Sequence, residues 1–205
     1  MTRLSTGVPI LDRRLDGGLV PGSTVALVAP PESQSELLAT AFAAAGPTLY
    51  LTTLRPERSV RESLTAAGVE DATVRRCDAE MLATDPAGVL RDLPTGGRVV
   101  LDAMNPLERM GRRRGSAVVS AVSEAVAAED GAALLHCLEE PGLDDGRVRT
   151  LAIADVVCSL ELSHTSLSID NRLHVTKYRN GAALTEPIKG KLADAVEVDT
   201  SRDIA

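Results

Sequence analysis

Residues 24–42 read TVALVAPPESQSELLATAF, and this stretch decides the expected fold. Its first part, Thr24 to Val28, is an apolar run of the length typical of a buried strand. In its second part, Leu37, Leu38 and Ala41 recur at helical spacing and predict one buried helix face. An apolar strand followed by a short polar turn and an amphipathic helix is typical of an α/β sheet whose strands are mainly parallel.

The turn between strand and helix lies where a phosphate-binding loop of the pattern G-x-x-x-x-G-K-[ST] works. Ala29 and Gln34 stand at its two glycine positions. Ser35 stands at the lysine, and Glu36 at the hydroxyl that binds Mg²⁺. Such a loop needs glycines so that successive N–H groups can turn inward, and it needs a cation. We therefore interpret the segment as a vestigial nucleotide site, formed by Pro31, Glu32, Ser33, Gln34, Ser35 and Glu36.

Charge also disfavours a bound nucleotide, because Glu32 and Glu36 place carboxylates where a polyanion would lie. At ~4 Å and an effective dielectric of ~20, each like-charge contact costs about 4 kcal/mol before screening. Loss of the lysine removes a charge-assisted contact of roughly 1.5–3 kcal/mol as well. We expect neither ATP nor Mg²⁺ as a cofactor and predict no metal site.

The same residues have a structural interpretation. Ser33 and Glu36 fit the S-x-x-E capping box, which satisfies free N–H groups at a helix start. A further hypothesis places Glu36 at the helix N-terminus in place of a phosphate, held by the same dipole. An ordinary strand–turn–helix that never bound a ligand is the remaining alternative.

Composition indicates a globular chain of 205 residues, with 44% hydrophobic and 25% charged residues. The net charge of −7 opposes non-specific nucleic-acid binding. An acidic, Ala-rich chain with few lysines is typical of GC-rich and halophilic sources, such as halophilic archaea. No apolar run reaches the ~20 residues of a membrane span and no signal peptide is evident, so we expect a cytoplasmic protein without membrane contact. The cysteines Cys77, Cys137 and Cys158 lie in apolar segments and predict reduced, buried thiols.

Strand and helix signals alternate along the rest of the chain and predict one domain over residues 1–205, with a tail from about residue 190. Strands are expected at 48–52, 74–77, 98–102, 132–138 and 155–162, and helices at 58–68, partly within 79–96, at 116–130 and briefly before 155. Near the C-terminus, residues 167–169 and 172–179 alternate as antiparallel strands around a turn at Asp170-Asn171, and Asn180-Gly181 predicts a second hairpin turn. The tail is open to two interpretations, an ordered edge strand or a docking segment.

Several motifs in order resemble the KaiC/RadA-like branch of the RecA-superfamily ATPases. Residues 6–23, TGVPILDRRLDGGLVPGS, are similar to that family's opening motif T-G-x-x-x-L-D-x-x-L-G-G-G-L-x-x-G-S. Residues 99–102 resemble the Walker B strand, 154–157 the family's "AD" strand, and 177–179 its K-x-R strand. The resemblance implies a RecA-like three-layer α/β/α sandwich, with a mainly parallel sheet and a C-terminal antiparallel hairpin.

The resemblance also implies roles for single residues. Asp102 would be the carboxylate that holds Mg²⁺ indirectly. Without a working loop, we favour a cap on the next turn through a local hydrogen bond. Lys177 and Arg179 would reach the nucleotide of a neighbouring subunit, and here they are candidate interface residues that pair with a neighbour's Glu32 or Glu36. A solvated edge-strand face is the equal alternative for that pair.

The departures from the family pattern concern catalysis. The family carries acids after its second strand, in a segment like E-E-x-P-E, whereas this chain has Thr53-Leu54-Arg55-Pro56-Glu57. Both acids are replaced by groups that cannot activate water, so we expect no catalytic residue and no enzyme. His136 and Cys137 end a strand near the family's sensor position, and core packing is the favoured interpretation for both.

The sequence favours a pseudo-ATPase that regulates or scaffolds through a protein partner or its own copies. A DNA-associated accessory protein is the second hypothesis, based on Arg112, Arg113 and Arg114. It is disfavoured because the facing loop at 139–145 is acidic and few aromatic residues are available for base stacking; a solvated or interface patch ahead of the helix is preferred for these arginines. Weak ATPase activity, completed between subunits, is the third.

Overall fold

Strands and helices alternate in the computed structural model, which describes residues 2–164, 169–181 and 183–190. The strands are β1 (Thr24–Ala29), β2 (Thr48–Thr52), β3 (Ala72–Arg76), β4 (Arg98–Asp102), β5 (Ala132–Leu138), β6 (Val156–His164), β7 (Ile169–Tyr178) and β8 (Ile188–Gly190). The helices are α1 (Pro9–Arg14), α2 (Glu36–Ala44), α3 (Glu57–Ala66), α4 (Ala79–Thr84), α5 (Pro86–Leu90), α6 (Asn105–Glu108), α7 (Arg112–Ala128) and α8 (Asp144–Ile153).

All eight strands belong to one sheet, in the order β3-β2-β4-β5-β1-β6-β7-β8. The first six in this order are parallel, because each is reached through a helical crossover. The last two, β7 and β8, are antiparallel to their neighbours. The predicted mainly parallel sheet with a C-terminal antiparallel hairpin is confirmed.

Helices cover both faces of the sheet and give the predicted three layers. On one face, α1, α2 and α3 contribute Leu11, Phe42 and Leu64 to the core. On the other, α4 and α7 contribute residues such as Leu82 and Val122. Central strands buried on both faces explain why their sequences are continuous apolar runs rather than alternating ones.

Some predicted boundaries are wrong. The turn expected at Asp170-Asn171 is not a turn: both residues lie inside β7 and pair with β6. The helix expected from Ser116 begins four residues earlier, at Arg112, because arginine is a good helix former and continues the first turn. Asn180 and Gly181 do follow the end of β7 in a turn. The tail predicted from about residue 190 lies, beyond Gly190, outside the described residues.

Hydrogen bonds to Asp12 hold the opening segment, residues 5–12, in place. The Asp12 carboxylate accepts from the Thr6 backbone N–H at 2.7 Å and from the Ser5 and Thr6 hydroxyls at 2.6 Å each. Gly7 has a φ of +80°, and a Cβ at this position would lie 1.9 Å from the Ala41 carbonyl oxygen. Only glycine fits this close approach, which places the segment along α2.

The three cysteines are free and buried, as predicted. Burial raises the pKa of the Cys77 thiol to about 11 and that of Cys158 to about 12, and it raises the Cys137 pKa as well. Thiolate is the reactive form, so we expect no reaction of the native protein with Ellman's reagent at mildly alkaline pH. Urea should expose all three thiols to the reagent. Rapid labelling of any cysteine before unfolding would contradict this expectation.

Candidate functional site

The parallel strands bring three segments together at the carboxyl edge of the sheet. The loop that follows β1 leads into α2, Asp102 ends β4, and His136 lies near the end of β5. Asp102 is paired in register with His136, and His136 is paired on its other side with Leu27 of β1. Open α/β sheets bind ligands at such an edge, so this is the candidate site.

Four buried side chains, Ser35, Tyr50, Asp102 and His136, form one hydrogen-bonded group, here called the Asp102 cluster. His136 Nδ1 lies 2.8 Å from Asp102 Oδ1, and His136 Nε2 lies 2.9 Å from Ser35 Oγ. The Tyr50 hydroxyl donates to Asp102 Oδ2 at 2.9 Å. Ser35 and His136 are 0% exposed and Asp102 is 3% exposed. Every polar side chain of the cluster therefore finds its partner inside the protein.

The cluster shifts the pKa values of its acids in opposite directions. Burial alone would raise the pKa of Asp102. Hydrogen bonds from His136 and Tyr50, with the charges of His136 and Arg55, more than offset burial and lower it. Burial raises the pKa of Tyr50, and the neighbouring Asp102 carboxylate raises it further. The neighbours of Asp102 thus stabilise its ionised form.

Arg55 lies at the open side of the cluster. Its Nη1 is 3.9 Å from Asp102 Oδ2, and its side chain is 29% exposed. Its Nη2 donates to the Ser63 hydroxyl of α3 at 3.1 Å. Arg55 thus places a cation beside Asp102, in the segment where the resembled family carries acids.

The structure assigns Asp102 a different role from the predicted local cap. Its carboxylate bonds across strands to β2 and β5. The turn after β4 is held instead by Thr53, whose hydroxyl donates to the Ala103 carbonyl at 2.7 Å and accepts from the Ala103 N–H at 2.9 Å. The prediction is wrong because β4 is a central strand, so the nearest partners of its last residue are on neighbouring strands.

The predicted capping box is also wrong. The Ser33 hydroxyl donates to the Pro30 carbonyl at 2.6 Å, and α2 begins at Glu36 with Ser35 as its N-cap residue. Ser35 makes no side-chain cap because its hydroxyl contacts His136. Ser33 lies too far before the helix to reach its first N–H groups. Glu36 does lie in the first helical turn, where its negative charge favours the helix dipole.

The loop backbone differs from a phosphate cradle. All residues from Ala29 to Glu36 are described, and none of them has a positive φ. Pro31, Glu32 and Gln34 are exposed, whereas Ser33 and Ser35 are buried. The left-handed turns that point successive N–H groups at one anion are therefore lacking in this segment.

The connectivity Ser35–His136–Asp102 has the order of a hydrolase triad, with the base between nucleophile and carboxylate. Burial of the three side chains argues against that chemistry, because the Ser35 hydroxyl is closed to solvent.

Sequence reasoning missed the contacts of Tyr50, Arg55 and His136 with Asp102. The available signal was that Asp102 and His136 each lie at or near the end of a predicted apolar strand. Cys137 is buried, as the core interpretation predicts.

Lys177 and Arg179 lie at the opposite edge of the sheet. The register of β7 pairs Tyr178 with Val156, at the beginning of β6. Lys177 Nζ donates to the carbonyls of Leu151 and Ala152 at 2.9 and 3.0 Å, at the end of α8. Arg179 Nε donates to Asp155 Oδ1 at 2.8 Å. Within one chain these cations stabilise the C-terminus of α8 and are remote from the Asp102 cluster. Their interface role remains a prediction.

The arginines at 112–114 begin α7. Arg114 makes two hydrogen bonds to the Glu80 carboxylate of α4, at 2.9 and 2.5 Å, and the run is exposed.

Among the described residues, no group of His, Cys, Asp or Glu is arranged to hold a metal ion. In the same part of the chain, every helix is too short or too polar to cross a bilayer.

Comparisons with known proteins agree with this architecture. Residues 3–205 match the family model DUF7125, described as a family of unknown function. No curated protein matches the sequence. The crystal structure of a KaiC-like protein from the hyperthermophilic archaeon Pyrococcus horikoshii OT3 superposes with a TM-score of 0.74. It is 16% identical over 92% of this chain and 94% of that one. The predicted resemblance to the KaiC/RecA-like fold is confirmed.

Proposed function

Because the chain belongs to DUF7125, a family of unknown function, its role has to be inferred from its site, and we propose that it is a non-hydrolysing RecA/KaiC-like domain. In this proposal it acts as a regulatory or scaffolding protein, through a protein partner or through its own copies. The observation that carries the proposal is the state of Asp102. Both of its oxygens are bonded to buried side chains of the same protein, so neither is free to organise Mg²⁺.

The loop before α2 supports the same conclusion. A phosphate loop holds its anion with a lysine, but at that position the Ser35 hydroxyl points inward to His136. Thr53 and Leu54 stand at the two positions where the resembled family carries acids, and neither side chain can accept a proton from water; the neighbouring Arg55 guanidinium cannot do so either. Nucleotide binding, metal binding and water activation would each lack the group that performs it.

Association is the remaining use of this surface. The exposed residues at this edge include Pro31, Glu32 and Gln34, together with Leu54, which is 48% exposed. An exposed carboxylate at Glu32 and an exposed apolar side chain at Leu54 suit a protein partner better than a polyanion. The pairing of Arg114 with Glu80 favours a solvated patch over a DNA-contacting one.

Titration of the purified protein with Mg-ATP tests this proposal, at both moderate and multimolar salt. We expect no binding heat and no thermal stabilisation at about millimolar ATP. A ligand present at 100 times its Kd would stabilise the folded protein by about 2.7 kcal/mol, so tight binding would be detected at this concentration. Micromolar binding would overturn the proposal and favour a site completed between subunits. Light scattering across protein concentrations separates the two forms of association, since a strict monomer requires a different protein as partner.

A further inference from the structure

Strand β3 is one edge of the sheet and has a neighbour on one side only. It pairs with β2, and in the described part of the chain no other strand lies beside it. The Cys77 N–H, just after β3, donates to the Thr52 carbonyl of β2 at 3.0 Å. Because successive residues of a strand direct their backbone groups to alternate sides, Val74 and Arg76 direct theirs away from β2. An edge of this kind can pair with a strand of another chain.

Two side chains of α3 bind these outward groups. Arg61 Nη2 donates to the Val74 carbonyl at 3.2 Å, and the Arg76 N–H donates to Glu57 Oε2 at 3.3 Å. Arg61 Nη2 also donates to Glu57 Oε1 at 2.8 Å, and the two side chains are here called the Glu57–Arg61 pair. The hydrogen bonds from Arg61 and from the Arg76 N–H lower the pKa of Glu57, which favours the carboxylate that accepts them.

The Glu57–Arg61 pair takes the place of one residue of an added strand. One residue of a parallel strand beside β3 would lie opposite Arg75. Its N–H would donate to the Val74 carbonyl, and its carbonyl would accept from the Arg76 N–H. Arg61 supplies that donor and Glu57 that acceptor. An antiparallel strand would need the same Val74 carbonyl, so the pair blocks pairing in either direction.

The sequence of α3 explains how the pair is presented to β3. Glu57 is the first residue of α3, and its N-cap residue Pro56 has a φ of −60° that suits a helix start. Arg61 follows four residues later, at the spacing where two helical side chains meet. A second pair on the same helix, Arg58 with Glu62, has the same spacing and the same 2.8 Å contact. Among the described residues that second pair makes no hydrogen bond to β3.

We propose that the Glu57–Arg61 pair is an autoinhibitory contact, which keeps the β3 edge from pairing with the β3 edge of a second copy of this chain. A second copy carries the same outward backbone groups, and a two-fold axis would set the two β3 strands antiparallel and join two sheets into one. At 3.2 and 3.3 Å the bonds to β3 are longer than the usual ~2.9–3.0 Å, so regular backbone bonds would replace them once the pair is removed. The inference concerns the lateral edge of the sheet and does not rest on the function proposed above.

The test compares Glu57→Ala/Arg61→Ala with Arg58→Ala/Glu62→Ala. Both double variants remove one carboxylate and one guanidinium from α3, so the net charge is the same in both. In sedimentation velocity across protein concentrations, we expect Glu57→Ala/Arg61→Ala to self-associate at least about tenfold more tightly than Arg58→Ala/Glu62→Ala. Hydrogen exchange of the associated form should show added protection of the amides in residues 72–76.

A third substitution locates the interface. Arg76→Pro, added to Glu57→Ala/Arg61→Ala, removes the outward N–H that a second strand needs and leaves the bonds between β3 and β2 in place, as edge strands allow. Self-association should then fall to the level of Arg58→Ala/Glu62→Ala. Equal sedimentation of the two double variants, or association without added protection at residues 72–76, would overturn the proposal. Association through the carboxyl edge, as in the proposed function, would be common to all the variants and is thereby distinguished.

Discussion

Replacing Asp102 with Ala is expected to lower the free energy of unfolding by about 3–5 kcal/mol, because two buried hydrogen-bond partners each lose their acceptor at a cost of roughly 1–3 kcal/mol. The Tyr50 hydroxyl and His136 Nδ1 would lose their acceptor in a region closed to water. Urea denaturation measures the change, as a lower midpoint at an unchanged slope.

Two variants calibrate the Asp102 result. Glu62→Ala removes an exposed ion pair with Arg58 and should cost less than about 1 kcal/mol. Tyr50→Phe removes one hydrogen bond of the cluster and should cost about 1–3 kcal/mol, because an acceptor is left with fewer partners. An Asp102→Ala protein as stable as the Glu62→Ala protein would show that the cluster contributes nothing.

The lowered pKa of Asp102 also gives the sign of a pH effect. The folded-state pKa lies below the unfolded value of about 3.9, so the folded state favours the carboxylate. The resulting stability is fully present above the unfolded pKa and is lost as pH falls through the folded pKa. The Asp102→Ala protein should therefore lose less stability in acid than the original protein.

The layered fold could be predicted because central strands buried on both faces need continuous apolar runs. Thr24–Ala29 and Ala132–Leu138 carry that signal without any knowledge of their neighbours. The turn at Asp170-Asn171 could not be excluded from the sequence. Both residue types favour turns, and only their pairing with β6 places them inside a strand.

The site was predictable only in its location. The sequence grouped residues of the β1–α2 loop with Asp102, and the structure brings the ends of β1 and β4 to the same edge of the sheet. The hydrogen bonds among them depend on which strands are neighbours. His136 lies 34 residues from Asp102 in sequence, and only the pairing of β4 with β5 brings it there. The capping-box pattern predicted the first N–H groups of the helix as the partners of Ser33, whereas its hydroxyl donates to the Pro30 carbonyl. A local pattern does not determine this choice, because it depends on where the folded chain begins the helix.

The second large effect concerns Glu108 and Arg147, a buried ion pair on the opposite face of the sheet from α2. Arg147 Nε and Nη2 donate to the two Glu108 oxygens at 2.8 Å each, and Nη2 also donates to the Leu138 carbonyl at 2.9 Å. The Glu108 side chain is 1% exposed. Arg147→Ala would leave this carboxylate buried without its partner.

We expect Arg147→Ala to lower the free energy of unfolding by about 3–5 kcal/mol, again from urea denaturation. The double variant Arg147→Ala/Glu108→Leu should recover part of the loss, because it removes the unpaired charge and restores apolar volume. An exposed arginine supplies the comparison: Arg58→Ala should cost less than about 1 kcal/mol. If the double variant were less stable than Arg147→Ala alone, the cost would come from lost packing of the Arg147 stem and not from the stranded carboxylate. The pair would then hold α6 and α8 together through the packing of the two side chains, and the attraction between its charges would add little to the free energy of unfolding.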